Sequence, residues 1–239
     1  MILEICASSY RSAISAQNAG APRIELCSEL AVGGITPSYG FLKKVMKELN
    51  IPVHVLIRPR SGNFTYSNEE FEIMKEDILI CHELGCAGIV SGILLPDLSV
   101  DIKRTQELVD LSKPMNFTFH RAFDWVQEPM NSIITLERIG VDRVLTSGQE
   151  NTAEEGITLL KKLQKETNIA IMPGGGVSID NALLFKKAGF SEIHASLTTL
   201  RYVNLPPMIS MNSSKHFSET QLASSNTDTI KQLLGIINP

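Results

Sequence analysis

Two short runs, LEIC at residues 3–6 and IELC at residues 24–27, each place a carboxylate two residues before a thiol. In a strand, side chains alternate between faces, so Glu4 shares a face with Cys6, and Glu25 shares one with Cys27. Two thiols on neighbouring parallel strands, which lie about 4.8 Å apart, form a soft donor pair able to ligate a soft metal ion. Equal offset along the strands does not ensure equal height, because adjacent barrel strands stagger their inward residues. Buried cysteines also serve as small apolar side chains. Cys81 and Cys86 straddle a helix end at a poor ligand spacing and are read as packing.

A second set of residues is suited to acid–base and anion chemistry. The run NFTFHRAFD at 116–124 sends Phe117 and Phe119 to one face of a strand and Thr118 and His120 to the other, then ends in Arg121 and Asp124. IRPR at 57–60 brings Arg58 and Arg60, a pair able to clamp an anion through paired N–H groups. PGGGVS at 173–178 puts Gly174, Gly175 and Gly176 at what reads as the start of a helix, where backbone N–H groups can cradle a phosphate or oxyanion. Ser147 in TSGQ and His194 and Ser196 in EIHAS fall at neighbouring strand ends.

Together these residues could bind a phosphorylated or carboxylated small molecule and move a proton. Glu25, His120 and Asp124 are the catalytic candidates. Glu4, Arg58, Arg60, Ser147, Gly174, Gly175, Gly176, His194 and Ser196 are the binding candidates. Isomerisation, aldol cleavage and hydrolysis all fit such a set, and no organic cofactor is evident. The plain alternative is a buried network of ion pairs that fixes strand register, since unpaired charges inside a protein cost several kcal/mol each. Glu192, near a strand start, is read that way.

The elements that must position these groups alternate along the chain. Strands are expected at 2–6, 23–27, 53–58, 88–91, 116–120, 143–146, 169–172 and 192–195. Helices are expected at 10–19, 39–49, 68–84, 102–111, 129–139, 153–166, 179–188 and 229–237, with Thr152 and Ser178 as caps and several terminal glycines. Eight βα units in a row predict a single α/β domain, residues 1–239, closed as a (β/α)8 TIM barrel. Polar residues on one face of each strand argue against an open doubly wound sheet, whose central strands are apolar on both faces. Residues 197–228 read as a long irregular connection before the last helix, a length usually reserved for functional or mobile loops.

Composition narrows the function classes. The 239 residues carry a formal net charge of −4 and no basic block, so no nucleic-acid partner is expected. No apolar run approaches the roughly 20 residues of a membrane span, so no membrane partner is expected either. Glu4 interrupts any apolar core of an export signal, and with four cysteines this points to reduced thiols in the cytoplasm.

Read in order, ELC with GGITPS, IRPRSGNFTYSNEE, TFHRAFD, LTSGQ, IMPGGGVS and EIHAS resemble the CutC family, named for copper homeostasis. The likeness runs from about Glu4 to Ser196. It implies a TIM barrel, a cytoplasmic and homo-oligomeric protein (dimer or tetramer), and copper(I) binding at Cys6 and Cys27. Nothing is carried over to the tail after Ser196. The competing expectation is a small-molecule enzyme whose ligand is a small anion held at the barrel mouth.

Overall fold

The computed structural model describes residues 1–202, 209 and 220–238. Eight parallel strands form one sheet: β1 (Ile2–Ala7), β2 (Arg23–Leu26), β3 (Val53–Leu56), β4 (Gly88–Ser91), β5 (Asn116–Phe119), β6 (Arg143–Thr146), β7 (Ala170–Pro173) and β8 (Glu192–Ala195). Pairing runs β7-β6-β5-β4-β3-β2-β1-β8, and a parallel bridge between Gly174 and His194 brings the two ends together. The eight-stranded barrel is the observed fold. Helices α1 (Tyr10–Asn18), α2 (Tyr39–Glu48), α3 (Asn68–Glu83), α4 (Ile102–Ser112), α5 (Pro129–Arg138), α6 (Ile157–Glu166), α7 (Ala182–Lys187) and α8 (Thr227–Ile237) alternate with the strands.

Local chemistry accounts for most of the helix starts. Ser9, Ser38 and Asp101 accept the N–H of a first-turn residue, satisfying a donor that the helix itself cannot. Ser67 and Glu70 form a reciprocal capping box at α3. Two expected starts move. Thr152 does accept the Glu155 N–H at 3.3 Å, yet it caps a separate turn, and α6 begins only at Ile157. Ser178 caps a turn through the Asp180 N–H at 3.2 Å, and α7 begins at Ala182.

A tight backbone contact lies at the start of α6. The backbones of Gly148 and Gly156 are pressed together, so that a Cβ on Gly156 would lie 1.9 Å from the Ser147 carbonyl oxygen. Neither partner is a side chain that could turn aside. Gly156→Ala should therefore destabilise the fold by about 1–3 kcal/mol or more, read as a lower midpoint in urea unfolding. An unchanged midpoint would show that this loop yields freely.

The outward strand residues bury against the helices. Phe117 and Phe119 are essentially inaccessible, each contributing about 1.5–3 kcal/mol by leaving water. The inward residues stack in layers drawn from alternate strands. Strand register groups Arg23, Gly88, Arg143 and Glu192 at the N-terminal end, then Glu4, His54, Thr118 and Met172. Above them lie Glu25, Val90, Leu145 and His194, and then Cys6 and Leu56 with His120 and Gly174 just past their strands. Gly88 is part of this packing, since a Cβ there would meet the His54 ring at 2.7 Å.

The segment 197–228 is not wholly irregular. Its described ends pair as an antiparallel hairpin of β9 (Thr198–Tyr202) and β10 (Gln221–Ser225), and α8 already starts at Thr227. The rest of that segment, Ile209 and Thr220 apart, lies outside the described residues. No described helix is long and apolar enough to cross a membrane.

Candidate functional site

The N-terminal layers hold a closed ion-pair network. Arg23 donates to Glu4 and to Glu192, both at 2.5 Å, while Arg143 takes Glu192 from the other side and reaches Thr118 Oγ1 at 3.1 Å. All are buried. Burial opposes ionisation of Glu4, but the His194 hydrogen bond and the charges of Arg23, His194 and His54 outweigh it, holding the carboxyl well below the usual range. Glu4 therefore anchors the barrel floor. It was expected to bind ligand, but Arg23, His194 and His54 surround it beneath the cavity.

Above this floor lies the thiol pair. The Sγ atoms of Cys6 and Cys27 are 3.6 Å apart, and Cys6 Sγ is also 3.6 Å from Glu25 Oε1. The two cysteines come together despite the barrel stagger, because Cys27 lies just beyond the end of β2. Hydrogen bonding to Cys27, burial, and the neighbouring thiol and carboxylate all push the Cys6 pKa well up, which favours the protonated thiol. Burial likewise raises the Glu25 pKa, with the Glu4 charge adding to it and His194 opposing it. His194 Nδ1 sits 2.9 Å from Glu4 Oε1; burial opposes its charge, yet the Glu25 and Glu4 carboxylates raise its pKa overall.

Cys6 and Glu25 form part of the wall of a cavity of about 570 Å³ at the C-terminal end of the barrel. That volume is ordinary for a small-molecule site. His120, His194, Gly175, Gly176 and Ser196, all expected at a site, line it. Ser147 and Gly174 do not line it. The Gly174 N–H is bound to the Thr146 carbonyl, and the Ser147 hydroxyl donates to the Glu150 carbonyl at 2.6 Å.

Three expected roles change on inspection of the hydrogen bonds. Arg58 lines the cavity, but its Nη1 is bound to the carbonyls of Val32 and Gly34 and its Nη2 to that of Gly62, each at 2.8 Å. Its charge is fixed in the wall, and the expected two-pronged anion clamp is not available. Arg60 turns away: it pairs with Glu70 at 2.5 Å and stacks on Tyr66, so it does not reach the cavity. Asp124 reaches the cavity wall with both oxygens engaged. It accepts from Thr146 Oγ1, from the N–H groups of Ser147 and Gln149, and from Arg121 Nε at 2.7 Å. Asp124 positions the loops after β5 and β6, which leaves its expected catalytic role without a free carboxylate.

Sequence reasoning missed Arg23 and Arg143 as partners of the buried carboxylates. The signal was present, since Arg23 lies two residues before Glu25 and Arg143 two before Leu145, on the same inward face. The sequence places Arg121 just past a strand and gives no sign of its place at the cavity. A short helical turn at Arg121–Trp125 swings it back over the mouth.

Comparison with known proteins bears on these residues directly. The CutC family model matches residues 1–199. This chain belongs to the CutC family. A CutC family protein of Enterobacter sp. (strain 638) is 47% identical over 196 residues, covering 82% of this chain and 79% of its own. A human protein named copper homeostasis protein cutC homolog is 39% identical over 241 residues, covering 98% of this chain and 88% of its own. The crystal structure of a CutC protein from Streptococcus agalactiae aligns with a TM-score of 0.76 at 36% identity, covering 81% of this chain and 97% of that one. The CutC match thus spans the whole eight-stranded barrel and both thiols.

Proposed function

We propose that this CutC-family chain acts in copper homeostasis by holding copper(I) between Cys6 and Cys27. The observation that carries this reading is the 3.6 Å separation of the two sulfurs, one of them on a cavity wall. A soft monovalent ion favours thiolate donors over the carboxylates and imidazoles nearby. Small movements of two side chains suffice to admit an ion between sulfurs already in contact. Cys27 is fully buried, so an ion would enter past Cys6. Its binding would release thiol protons, and Glu25, hydrogen-bonded to the Cys6 thiol, is the nearest base to receive one.

Copper(I) titration against a chromophoric chelator under reducing conditions tests this. The parent protein should compete for one ion per chain. Cys6→Ser and Cys27→Ser should each weaken that competition by more than about tenfold, that is, by more than 1.4 kcal/mol. The Cys81→Ser variant, altered in a thiol on the outer side of the barrel, should match the parent. If the Cys6→Ser, Cys27→Ser double variant competes as well as the parent, the thiol pair is not the copper site.

A further inference from the structure

The cavity above the thiols contains groups that copper does not use. His120 is 5% exposed and sits in the wall. Its Nδ1 accepts the Ala122 N–H at 3.2 Å, so the ring proton must reside on Nε2. That Nε2 has no hydrogen-bond partner. Burial and the nearby Arg58 charge push the pKa down to about 3, which keeps the ring neutral with a single proton to donate. Phe64 packs against it at 4.9 Å between ring centres and prevents the imidazole from turning to seek another acceptor. A buried donor without an acceptor, on a side chain that lines a cavity, marks a place that a small shift of the ring opens to a water or a ligand oxygen.

The mouth of the same cavity presents donors of a second kind. Arg121 spends Nε on Asp124 and one Nη2 hydrogen on Ser147 Oγ at 3.0 Å, which fixes the plane of the guanidinium. Among the described residues no acceptor takes Nη1, and the side chain is 45% exposed. The Gly175 backbone comes against this guanidinium so closely that a Cβ would lie 3.3 Å from Nη1. Gly175 and Gly176 have φ of +106° and +73°, which glycine adopts freely, and both line the cavity with bare backbone. No described acceptor takes either of those N–H groups. These N–H groups are loop backbone and not a helix end, because α7 starts only at Ala182.

We propose that the barrel mouth is the binding site of a small organic anion. Its acid group lies between Arg121 Nη1 and the N–H groups of Gly175 and Gly176, and a hydroxyl or carbonyl oxygen of its body accepts from His120 Nε2. The fixed Arg58 charge in the wall adds to the field drawing the anion in. Asp124 pairs with Arg121 Nε and offsets one of the two guanidinium charges at the cavity, which leaves the Arg58 charge to supply the field. Leu30, Leu56 and Trp125 supply apolar walls for the carbon skeleton. Phosphate monoesters and hydroxy-carboxylates share the required chemistry. This site goes beyond the copper reading and does not depend on it.

Trp125 is the only tryptophan of the chain and lies in the cavity wall, so its fluorescence reports occupancy. The parent protein is titrated with glycerol 3-phosphate, gluconate, inorganic phosphate and, as a neutral control, glucose. A saturable change with glycerol 3-phosphate or gluconate and none with glucose is expected; which of the two acts identifies the acid group. Arg121→Ala should weaken that binding at least tenfold. His120→Asn, which keeps an acceptor for the Ala122 N–H but loses the Nε2 donor, should weaken it several-fold without changing the response to inorganic phosphate. The titrations are run with and without a copper(I) chelator, and the same saturable response in both leaves this proposal standing if the copper reading fails. No saturable response to either organic acid, or a response indifferent to Arg121→Ala in a variant that melts like the parent, overturns the proposal.

Discussion

Glu192→Gln should lower the unfolding free energy by about 3–5 kcal/mol, the largest stability loss expected of any single side chain described above. The substitution keeps the shape and removes the charge. Two guanidiniums, Arg23 and Arg143, then face a single remaining carboxylate, Glu4, inside the N-terminal layers. Arg143 keeps Thr118 Oγ1 and one neutral amide oxygen, while its other contact to Glu192 becomes a donor facing a donor. A desolvated cation without its counter-ion is the costly species, far more so than the pair is beneficial. Urea unfolding monitored by circular dichroism measures this. A companion triple variant, Glu192→Leu with Arg143→Met and Arg23→Met, removes the charges on one side of Glu4 and should not recover, because Glu4 is then left with imidazoles alone. A loss below about 1 kcal/mol for Glu192→Gln would mean that water reaches the barrel floor and solvates the arginines.

This network also marks the division between what the chain discloses as text and what needs three dimensions. Strand positions, the inward face of each strand and closure of the barrel follow from period-two patterning and from eight βα units, and the observed strands differ by only a residue or two at their ends. The inward arginines Arg23 and Arg143 were on the same alternating face and could have been read from it. Partner choice could not. Glu192 meets Arg143 because register shifts at every strand around the barrel, and that shift accumulates over elements far apart in sequence. The same holds for the thiols, whose offsets are equal in LEIC and IELC, whereas their meeting depends on where β2 ends.

The arginines of IRPR show the opposite failure. Their spacing suggests a clamp on an external anion, yet Arg58 Nη1 and Nη2 are held by the carbonyls of Val32, Gly34 and Gly62, which belong to two different loops, and only its buried Nε lacks a partner. A guanidinium with five donors stitches loops as readily as it binds ligands, and sequence gives no sign of which acceptors will be near. Arg121 has the same composition and an exposed edge, because a helical turn after β5 leaves Nη1 facing the glycine loop. Gly174, Gly175 and Gly176 were legible as a close approach of backbone to something, and the something includes Arg121.

Acidification should weaken the fold before any carboxylate of the floor is protonated. Burial, with Arg23 and Arg143 nearby and Glu4 opposing, lowers the His54 pKa to about 4, and burial with Arg58 lowers that of His120 to about 3. Both are depressed from about 6.5 in an unfolded chain. The unfolded state therefore binds more protons than the native one as pH falls below 6.5, and stability falls with it. Above 6.5 the contribution of neutral His54 is complete; by pH 4 a loss on the order of 3 kcal/mol is expected from it alone. His194 acts in the other direction, because its pKa is raised: its contribution is present at low pH and fades as pH rises through its native value. Glu4, held low, keeps its contribution down to its unfolded value of about 4.3 and begins to lose it only at the bottom of this window. Unfolding free energies measured at half-unit steps from pH 7 to 4 should fall steadily in the parent protein. They should fall less steeply in His54→Asn, which has no imidazole to protonate in either state at that position. Parallel slopes for parent and variant would show that His54 is protonated in the native barrel, with Glu4 as its counter-ion at 3.6 Å.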